Sequence, residues 1–165
     1  MTKHENNLSA FMTLHKIQGE HLHFTTSCHT AEAAAQAAGI TKEKLVKNIC
    51  LLGADGKLIV GIVKGEDRIS RKRVAKYLTS TTGIVHETLP RIATAEEVLE
   101  KTGYPCGGVP SFGFSALFLI DPKVTAEKTI YTGGGSEFSL VKMAPAELAR
   151  FHEEDRSGLI VRIRG

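Results

Sequence analysis

Two apolar segments separated by a four-residue turn constrain the fold of this chain most. The segments are "KLVKNICLL" and "KLIVGIVKG", and the connection between them is Gly53-Ala54-Asp55-Gly56. Short apolar runs rich in branched aliphatic residues and bounded by turn residues are typical of strands. Glycine tolerates the left-handed backbone that a tight turn demands. The sequence therefore predicts a β-hairpin here.

Capping residues predict helices on both sides of this hairpin. Thr30 stands before an Ala-rich segment and Ser70 before a short basic one, and both are good N-cap residues. Thr94 and Glu97 have the spacing of a capping box, so a helix should run from about 94 to 102.

The order of the remaining elements predicts the fold class. Further strands are predicted in "HLHFTTS", "IVHETL", "ALFLID" and "GLIVRIR", a second hairpin around residues 133–135, and helices in "NNLSAFMTLHKIQ" and "PAELARFH". This order lacks the regular strand–helix alternation of a doubly wound fold. We therefore predict an α+β fold with a mixed, largely antiparallel sheet, which could close into a barrel, flanked by short helices.

The composition is that of an ordinary globular protein. Of 165 residues, 42% are hydrophobic and 24% charged, which predicts a single domain over residues 1–165. No apolar run approaches the roughly 20 residues of a membrane span, and the N-terminus lacks a signal-peptide core, so we expect a cytoplasmic protein without membrane association. Its three cysteines are odd in number and widely spaced, which favours reduced thiols.

The net charge of +3 does not by itself indicate nucleic-acid binding, but the basic residues are clustered. Six of them lie between positions 64 and 76: Lys64, Arg68, Arg71, Lys72, Arg73 and Lys76. This segment could attract phosphates, or it could be the solvated face of a surface helix. The sequence alone leaves both interpretations open.

The candidate functional features are Lys47, the glycine pair at 107–108 and the glycine run at 133–135. Strand alternation places Lys47 on one face with Ile49 and Leu51, where its ammonium must either extend to water or face a cleft. Gly107 and Gly108 could let a ligand approach the backbone and expose N–H groups to an oxyanion, or could serve a turn. The glycines at 133–135 have the same two interpretations.

Taken together, several motifs resemble a known family. They are "VKN" on the first predicted strand, "TGYPCGGVPSFG" after a short helix, the apolar strand ending at Asp121, and "YTGGGS" before "FSLVKMAPAELA". In this order they resemble the YbaK/ProX family of aminoacyl-tRNA deacylases, which is similar to the editing insertion domain of bacterial prolyl-tRNA synthetase. The resemblance covers roughly residues 20 to 150.

This resemblance implies a YbaK-like fold and a trans-editing deacylase that hydrolyses the ester of mischarged tRNA. Family members use neither metal nor cofactor, and their substrates are typically Cys- or Ala-tRNA for proline. Asn48 is similar to the alanine-editing branch and the double glycine to the cysteine-editing branch, so both substrates stay open. Aminoacyl-tRNA is the implied partner, with prolyl-tRNA synthetase as a second one.

The family's functional positions can be placed on this chain. Its strand lysine falls on Lys47, and its Gly-x-x-x-Pro loop starts at Gly107, with Ser111 where many members have proline. We predict that Lys47 and the amides of Gly107 and Gly108 are catalytic. The predicted substrate-binding residues are Asn48, Tyr104, Val109, Pro110, Ser111 and Gly134.

Three other functions are compatible with the sequence. The same cleft could bind tRNA or a nucleotide without hydrolysing anything. Cys106 could be a nucleophile activated by His29 or His86. A metal could bind the His21-x-His23 pair, although no third ligand at a telling spacing accompanies it.

Overall fold

The computed structural model describes residues 1–83 and 88–165. The helices in this part are α1 (Lys3–Leu14), α2 (Ala31–Ala38), α3 (Arg71–Thr82), α4 (Ala95–Thr102), α5 (Pro122–Thr125) and α6 (Pro145–Asp155), with a 3₁₀ helix at Lys42–Lys44. The strands are β1 (Glu20–His23), β2 (Val46–Leu52), β3 (Leu58–Lys64), β4 (Arg91–Ile92), β5 (Leu117–Ile120), β6 (Ile130–Gly133), β7 (Ser139–Met143) and β8 (Gly158–Ile160). The strand predicted around Ile84 falls on residues outside the described ranges.

The strands form two sheets, which confirms the predicted α+β class. A five-stranded mixed sheet has the order β4-β2-β3-β5-β8, and a three-stranded antiparallel sheet has the order β1-β7-β6. A single bridge between Leu45 and Tyr131 links them. Each sheet keeps two edge strands, so the described strands do not close into a barrel. No helix within residues 1–83 and 88–165 is long and apolar enough to cross a membrane.

The predicted hairpin is confirmed as β2 and β3, which pair antiparallel from Val46 opposite Lys64 to Leu52 opposite Leu58. Gly56 has a φ of 78°, in the left-handed region, as the turn requires. The alternation along β2 also holds. Cys50 joins the main core, whereas Leu51 packs in a separate cluster with Val74 of α3. Both faces of the hairpin are thus covered, which fixes the position of every side chain on β2.

The predicted caps are confirmed for α2, α3 and α4. Thr30, Ser70 and Thr94 each accept a hydrogen bond from a backbone N–H in the first helical turn, and Thr94 forms the full capping box with Glu97. These caps matter for the site because Thr30 and Ala31 at the start of α2 and Val98 of α4 line the cleft described below.

Asp121 ties the C-terminal segment to the end of β5. Its carboxylate is buried and accepts hydrogen bonds from the backbone N–H groups of Lys123, Ile163 and Arg164, each at 3.0 Å, and from the Arg164 guanidinium. Burial alone would raise the pKa of Asp121, but these hydrogen bonds outweigh it and hold the pKa below its usual value.

Asp121→Asn is expected to lower the free energy of unfolding by about 2–3 kcal/mol near neutral pH, because an amide cannot accept all four hydrogen bonds. Since the folded pKa is depressed, the carboxylate stabilises the fold above the unfolded pKa of about 3.9 and loses this effect as pH falls through the folded value. Urea unfolding from about pH 7 down to about pH 3 should therefore show a flatter acid dependence in the variant. Equal slopes in the two proteins would contradict this role.

Candidate active site

A cleft of about 350 Å³ lies between β2, the start of α2, β4 and the loop that follows α4. Much of its wall is apolar and includes Ala31, Ala34, Leu45 and Leu140. We call residues 103–113 the glycine loop and residues 133–135 the second glycine run; both contribute to this wall. A concave, largely apolar site with a few polar groups is the usual form of a small-molecule pocket.

Lys47 of β2 lines this cleft and is half-buried. Burial lowers the pKa of the Lys47 ammonium, the positive charge of Arg68 lowers it further, and Asp67 opposes both. Asp67 itself forms an ion pair with Lys123, 3.1 Å between Nζ and Oδ1. The Lys47 ammonium is thus partly desolvated and only weakly neutralised, so an anionic or polar ligand in the cleft would stabilise it.

Asn48, the next residue of β2, holds the glycine loop in place. Its Nδ2 donates to the Val109 carbonyl oxygen at 2.8 Å and to Thr132 Oγ1 at 2.9 Å, while its Oδ1 accepts from Ser111 Oγ at 2.6 Å. Ser111 Oγ and Thr132 Oγ1 lie 2.7 Å apart and complete the ring. The polar atoms of Asn48 are therefore occupied by the wall of the cleft. Buried networks satisfied in this way stabilise one arrangement.

The same network extends to helix α6. The Nε2–H of buried His152 donates to the Ser111 carbonyl oxygen at 2.7 Å, and its Nδ1 accepts from Ser157 Oγ at 2.8 Å. Burial lowers the pKa of His152, which keeps the ring neutral as this pattern of bonds requires. Ser111 thus contacts β2 through its hydroxyl, which the family's proline would lack, and α6 through its backbone carbonyl oxygen.

Asn48→Ala is expected to lower the free energy of unfolding by about 2 kcal/mol, because Ser111 Oγ and the Val109 carbonyl lose buried partners. The measurement is urea unfolding, with exposed Asn7→Ala on α1 as the matched control. If Asn48→Ala instead kept full stability and lost only activity, Asn48 would be a substrate contact, as the sequence predicted, rather than a support.

The glycine loop and the second glycine run pack backbone against backbone. The Gly108 carbonyl oxygen accepts from Gly135 N at 2.8 Å, and a Cβ on Gly108 would come within 2.5 Å of Ser136 N. A Cβ on Gly133 would come within 2.1 Å of the Val109 carbonyl oxygen. Both glycines are therefore needed for the close packing of these two segments. Of the two interpretations given by the sequence, this is the structural one.

Gly107 and Gly108 differ in what their amides can do. The Gly108 N–H donates to the Pro105 carbonyl oxygen at 2.9 Å within the loop, so the prediction that it is open to an oxyanion needs correction. Gly107 lines the cleft with a φ of 90°, and within the described ranges its N–H has no acceptor. Of the two amides, that of Gly107 is the one available to a ligand.

The other predicted site residues divide between the cleft wall and its support. Lys47, Asn48, Gly107 and Val109 are wall residues. The side chains of Tyr104, Pro110 and Ser111 are buried behind the wall. Gly108 is enclosed against the second glycine run and Ser136, and Gly134 against the start of β7. The contacts of these five residues are with the protein itself, so their role in substrate binding stays a prediction.

The N-terminal segment supports the second glycine run. Buried Glu5 accepts a hydrogen bond from Ser136 Oγ and another from Thr2 N at 3.2 Å. Burial alone would raise the pKa of Glu5, but these bonds hold it below its usual value. The His21 Nε2–H donates to the Gly134 carbonyl oxygen at 2.6 Å. The spacing of Thr2 and Glu5 is that of a capping box, but no local pattern indicates the bond between Glu5 and Ser136, which joins residues 131 positions apart.

The basic segment is only partly available to a nucleic acid. Lys64 is 5% exposed, and its ammonium lies 2.6 Å from Glu127 Oε1 and 3.5 Å from Glu66 Oε1. The prediction that it could bind phosphate is therefore wrong, since its charge is already neutralised. The remaining basic residues are exposed: Arg68, Arg71, Lys72, Arg73 and Lys76.

All three cysteines line the cleft as free thiols, although only Cys106 is exposed. Burial, with a smaller effect of nearby Cys106, raises the pKa of the Cys50 thiol to about 12. His29 also lines the cleft, and a Cβ on Gly107 would come within 2.3 Å of its Nδ1. The sequence placed His29 only as one possible partner of Cys106. His86, the other one, lies outside the described residues.

The His21-x-His23 pair is engaged in structural contacts. His21 bonds to Gly134, and His23 Nδ1 lies 3.3 Å from Glu5 Oε2. Across residues 1–83 and 88–165 there is no group of three or more His, Cys, Asp or Glu side chains that could hold a metal ion.

Several known proteins are similar to this chain. The YwhH protein of Bacillus subtilis (strain 168) is 29% identical over 130 residues, 78% of this chain and 78% of that protein. The proline–tRNA ligase of Thermotoga neapolitana is 26% identical over 110 residues, 67% of this chain but 18% of the ligase. Among solved structures, a candidate trans-editing enzyme for prolyl tRNA synthetase has a TM-score of 0.84 at 23% identity, covering 100% of this chain and 99% of that one.

A second solved structure, hypothetical protein APE2540, has a TM-score of 0.81 at 23% identity, covering 96% of this chain and 99% of that one. At these identities the two structures show that the fold is shared. The family model for the aminoacyl-tRNA editing domain matches residues 25–151, which include β2, the glycine loop and the second glycine run. The resemblance predicted from the motifs is thereby confirmed, and the chain belongs to the aminoacyl-tRNA editing domain family.

Proposed function

We propose that this protein is a trans-editing deacylase that hydrolyses the ester of tRNA for proline mischarged with cysteine or alanine. The observation that carries the proposal is that Lys47 and the free N–H of Gly107 belong to one cleft. In that cleft a cation and an amide donor can act on neighbouring atoms of a single aminoacyl ester. Residues 1–165 act as one domain in this proposal, without metal or cofactor.

In the proposed reaction, the ester carbonyl oxygen accepts a hydrogen bond from the Gly107 N–H. Water attacks the carbonyl carbon, and this donor stabilises the negative charge that develops on the oxygen. Lys47 binds the terminal phosphate or ribose hydroxyls and so holds the ester in place. The bond to the ribose oxygen then breaks and releases the free amino acid and intact tRNA.

The size of the acyl pocket supports a small substrate side chain. Ala31 and Ala34 of α2 form part of the wall with Cys28, and Leu45 and Leu140 close it. A synthetase site separates substrates that differ by little apolar bulk by only about 10–200-fold, so a second site selective for small side chains adds discrimination. Alanine and cysteine are small enough for such a pocket, whereas we expect the proline ring to be excluded.

The tRNA itself would bind along the exposed basic residues beside the cleft. The charge of Arg68 acts on Lys47, which places this end of the basic segment near the cleft. Lys72, Arg73 and Lys76 continue it along α3. Phosphates of the acceptor stem are the matching ligand. We further propose that the protein acts in the cytoplasm beside prolyl-tRNA synthetase, where such a substrate would arise.

A panel of alanyl, cysteinyl, seryl and prolyl esters on proline tRNA tests this proposal by following ester loss with time. We expect rapid loss of the alanyl or cysteinyl ester and little effect on the prolyl ester. Protection of every ester would instead identify a tRNA-binding module without deacylase activity.

A further inference from the structure

The position of His29 beside Gly107 has no structural explanation in the protein itself. The backbone on both sides of this residue is fixed: Cys28 N donates to the Glu137 carbonyl oxygen, His29 N donates to Ser27 Oγ at 3.2 Å, and Thr30 caps α2. The ring, by contrast, is exposed at the cleft.

The Nδ1–Cε1 edge of this ring faces Gly107. An ideal Cβ on Gly107 would lie 2.3 Å from His29 Nδ1 and 3.0 Å from Cε1, so the ring is in contact with the glycine itself. The Gly107 N–H is the amide that can donate a hydrogen bond to the ester carbonyl oxygen. A carbonyl carbon bound there would lie about 4 Å from the amide nitrogen, beyond one hydrogen bond and one C=O bond, with the imidazole beside it.

The ring nitrogens of His29 are also unoccupied, in contrast to those of His152 and to Nε2 of His21. His152 uses both ring nitrogens in hydrogen bonds and His21 uses Nε2. Within the described ranges, the His29 ring has no hydrogen bond or ion pair. An exposed imidazole without a structural partner is free to bind a water molecule at the cleft.

We propose that the imidazole of His29 is the general base of the deacylation. This inference rests on the proposed function, for which the described residues lining the cleft offer no carboxylate and no second imidazole. A lone pair of the ring takes a proton from the attacking water as its oxygen bonds to the carbonyl carbon. The imidazolium then gives this proton to the ribose oxygen as the ester bond breaks. The neutral ring is restored, and water is the only reagent consumed.

The other titratable groups at or near the cleft differ in class from the His29 imidazole. The described lining of the cleft contains the Lys47 ammonium and the thiols of Cys28, Cys50 and Cys106. Acidic side chains on the adjoining elements are Glu32, which pairs with Lys42, and Glu137, which faces Ser27. Carboxylates as a class titrate about 2 pH units below imidazoles.

The test measures kcat/KM for ester loss against pH in the wild type and in His29→Gln. The matched control is His15→Gln, at the exposed residue that directly follows α1. Removal of a general base typically costs about 10²–10⁴-fold. We expect a loss of this size in His29→Gln, together with loss of the acid limb of the profile. His15→Gln should keep both the rate and the limb. Added imidazole should partly restore the smaller variant His29→Ala.

Each other outcome has a definite meaning. A wild type that hydrolyses none of the esters refutes the proposed function itself. An active wild type whose His29→Gln variant keeps its rate and its acid limb overturns only the role of His29. Cys106→Ser tests the remaining possibility, in which His29 activates Cys106 as a nucleophile. If this variant loses as much activity as His29→Gln, the imidazole acts on the thiol and the inference is overturned.

Discussion

Replacing Lys47 with Ala is expected to lower kcat/KM for deacylation by about 10³-fold, the size of effect seen when a preorganised charge or donor is removed from an active site. The ammonium is half-buried at the cleft, and Asp67, the acidic residue whose charge acts on it, is already paired with Lys123. It therefore contributes little to folding, and we expect the free energy of unfolding to change by about 1 kcal/mol or less. The measurements are ester hydrolysis and thermal or urea unfolding of the same preparation.

The controls for Lys47→Ala come from the same hairpin. Lys57→Ala removes an exposed lysine that directly precedes β3. It should leave both activity and stability unchanged. Lys47→Arg keeps the positive charge in a larger, planar group, so we expect activity between that of the wild type and Lys47→Ala. Full activity in Lys47→Ala would remove this lysine from the mechanism.

Replacing Gly133 with Ala is expected to have the largest effect on stability, about 4 kcal/mol or more. The new Cβ would meet the Val109 carbonyl oxygen at 2.1 Å and the Val109 carbonyl carbon at 2.6 Å, and neither backbone atom can move like a flexible side chain. The glycine loop would have to separate from β6, which would also open the cleft. Urea unfolding and ester hydrolysis should both report the loss.

Gly103→Ala is the matched control for this substitution. Gly103 has a φ of 82°, but a Cβ there would meet nothing within 4 Å. Its substitution should therefore cost only the backbone strain of about 1–2 kcal/mol. If Gly133→Ala were no more destabilising than Gly103→Ala, the two loops would not be locked against each other as described.

Features of the fold set by neighbouring residues were predictable from the sequence. The hairpin of β2 and β3 follows from its two apolar segments and glycine turn, and the capping box at Thr94 follows from its spacing to Glu97. In both cases the residues that determine the structure lie within a few positions of it. The order of the motifs along the chain was enough to identify the family.

Contacts between distant segments account for what was missed. Gly108 meets Ser136, and Lys64 is neutralised by Glu127, because the fold brings those loops and strands together. No local pattern encodes such pairs, so the glycine pair and the basic run each had two interpretations. His29 is a further example, since it stands beside Gly107 only in the folded chain.

The half-life of the alanyl or cysteinyl ester on proline tRNA, measured with the protein in excess, is the most direct test of the site. If the cleft of Lys47 and Gly107 hydrolyses a short acyl ester, the half-life should shorten at least about 10²-fold with the wild type and hardly at all with Lys47→Ala. An equal or longer half-life in the presence of the wild type would contradict the deacylase function.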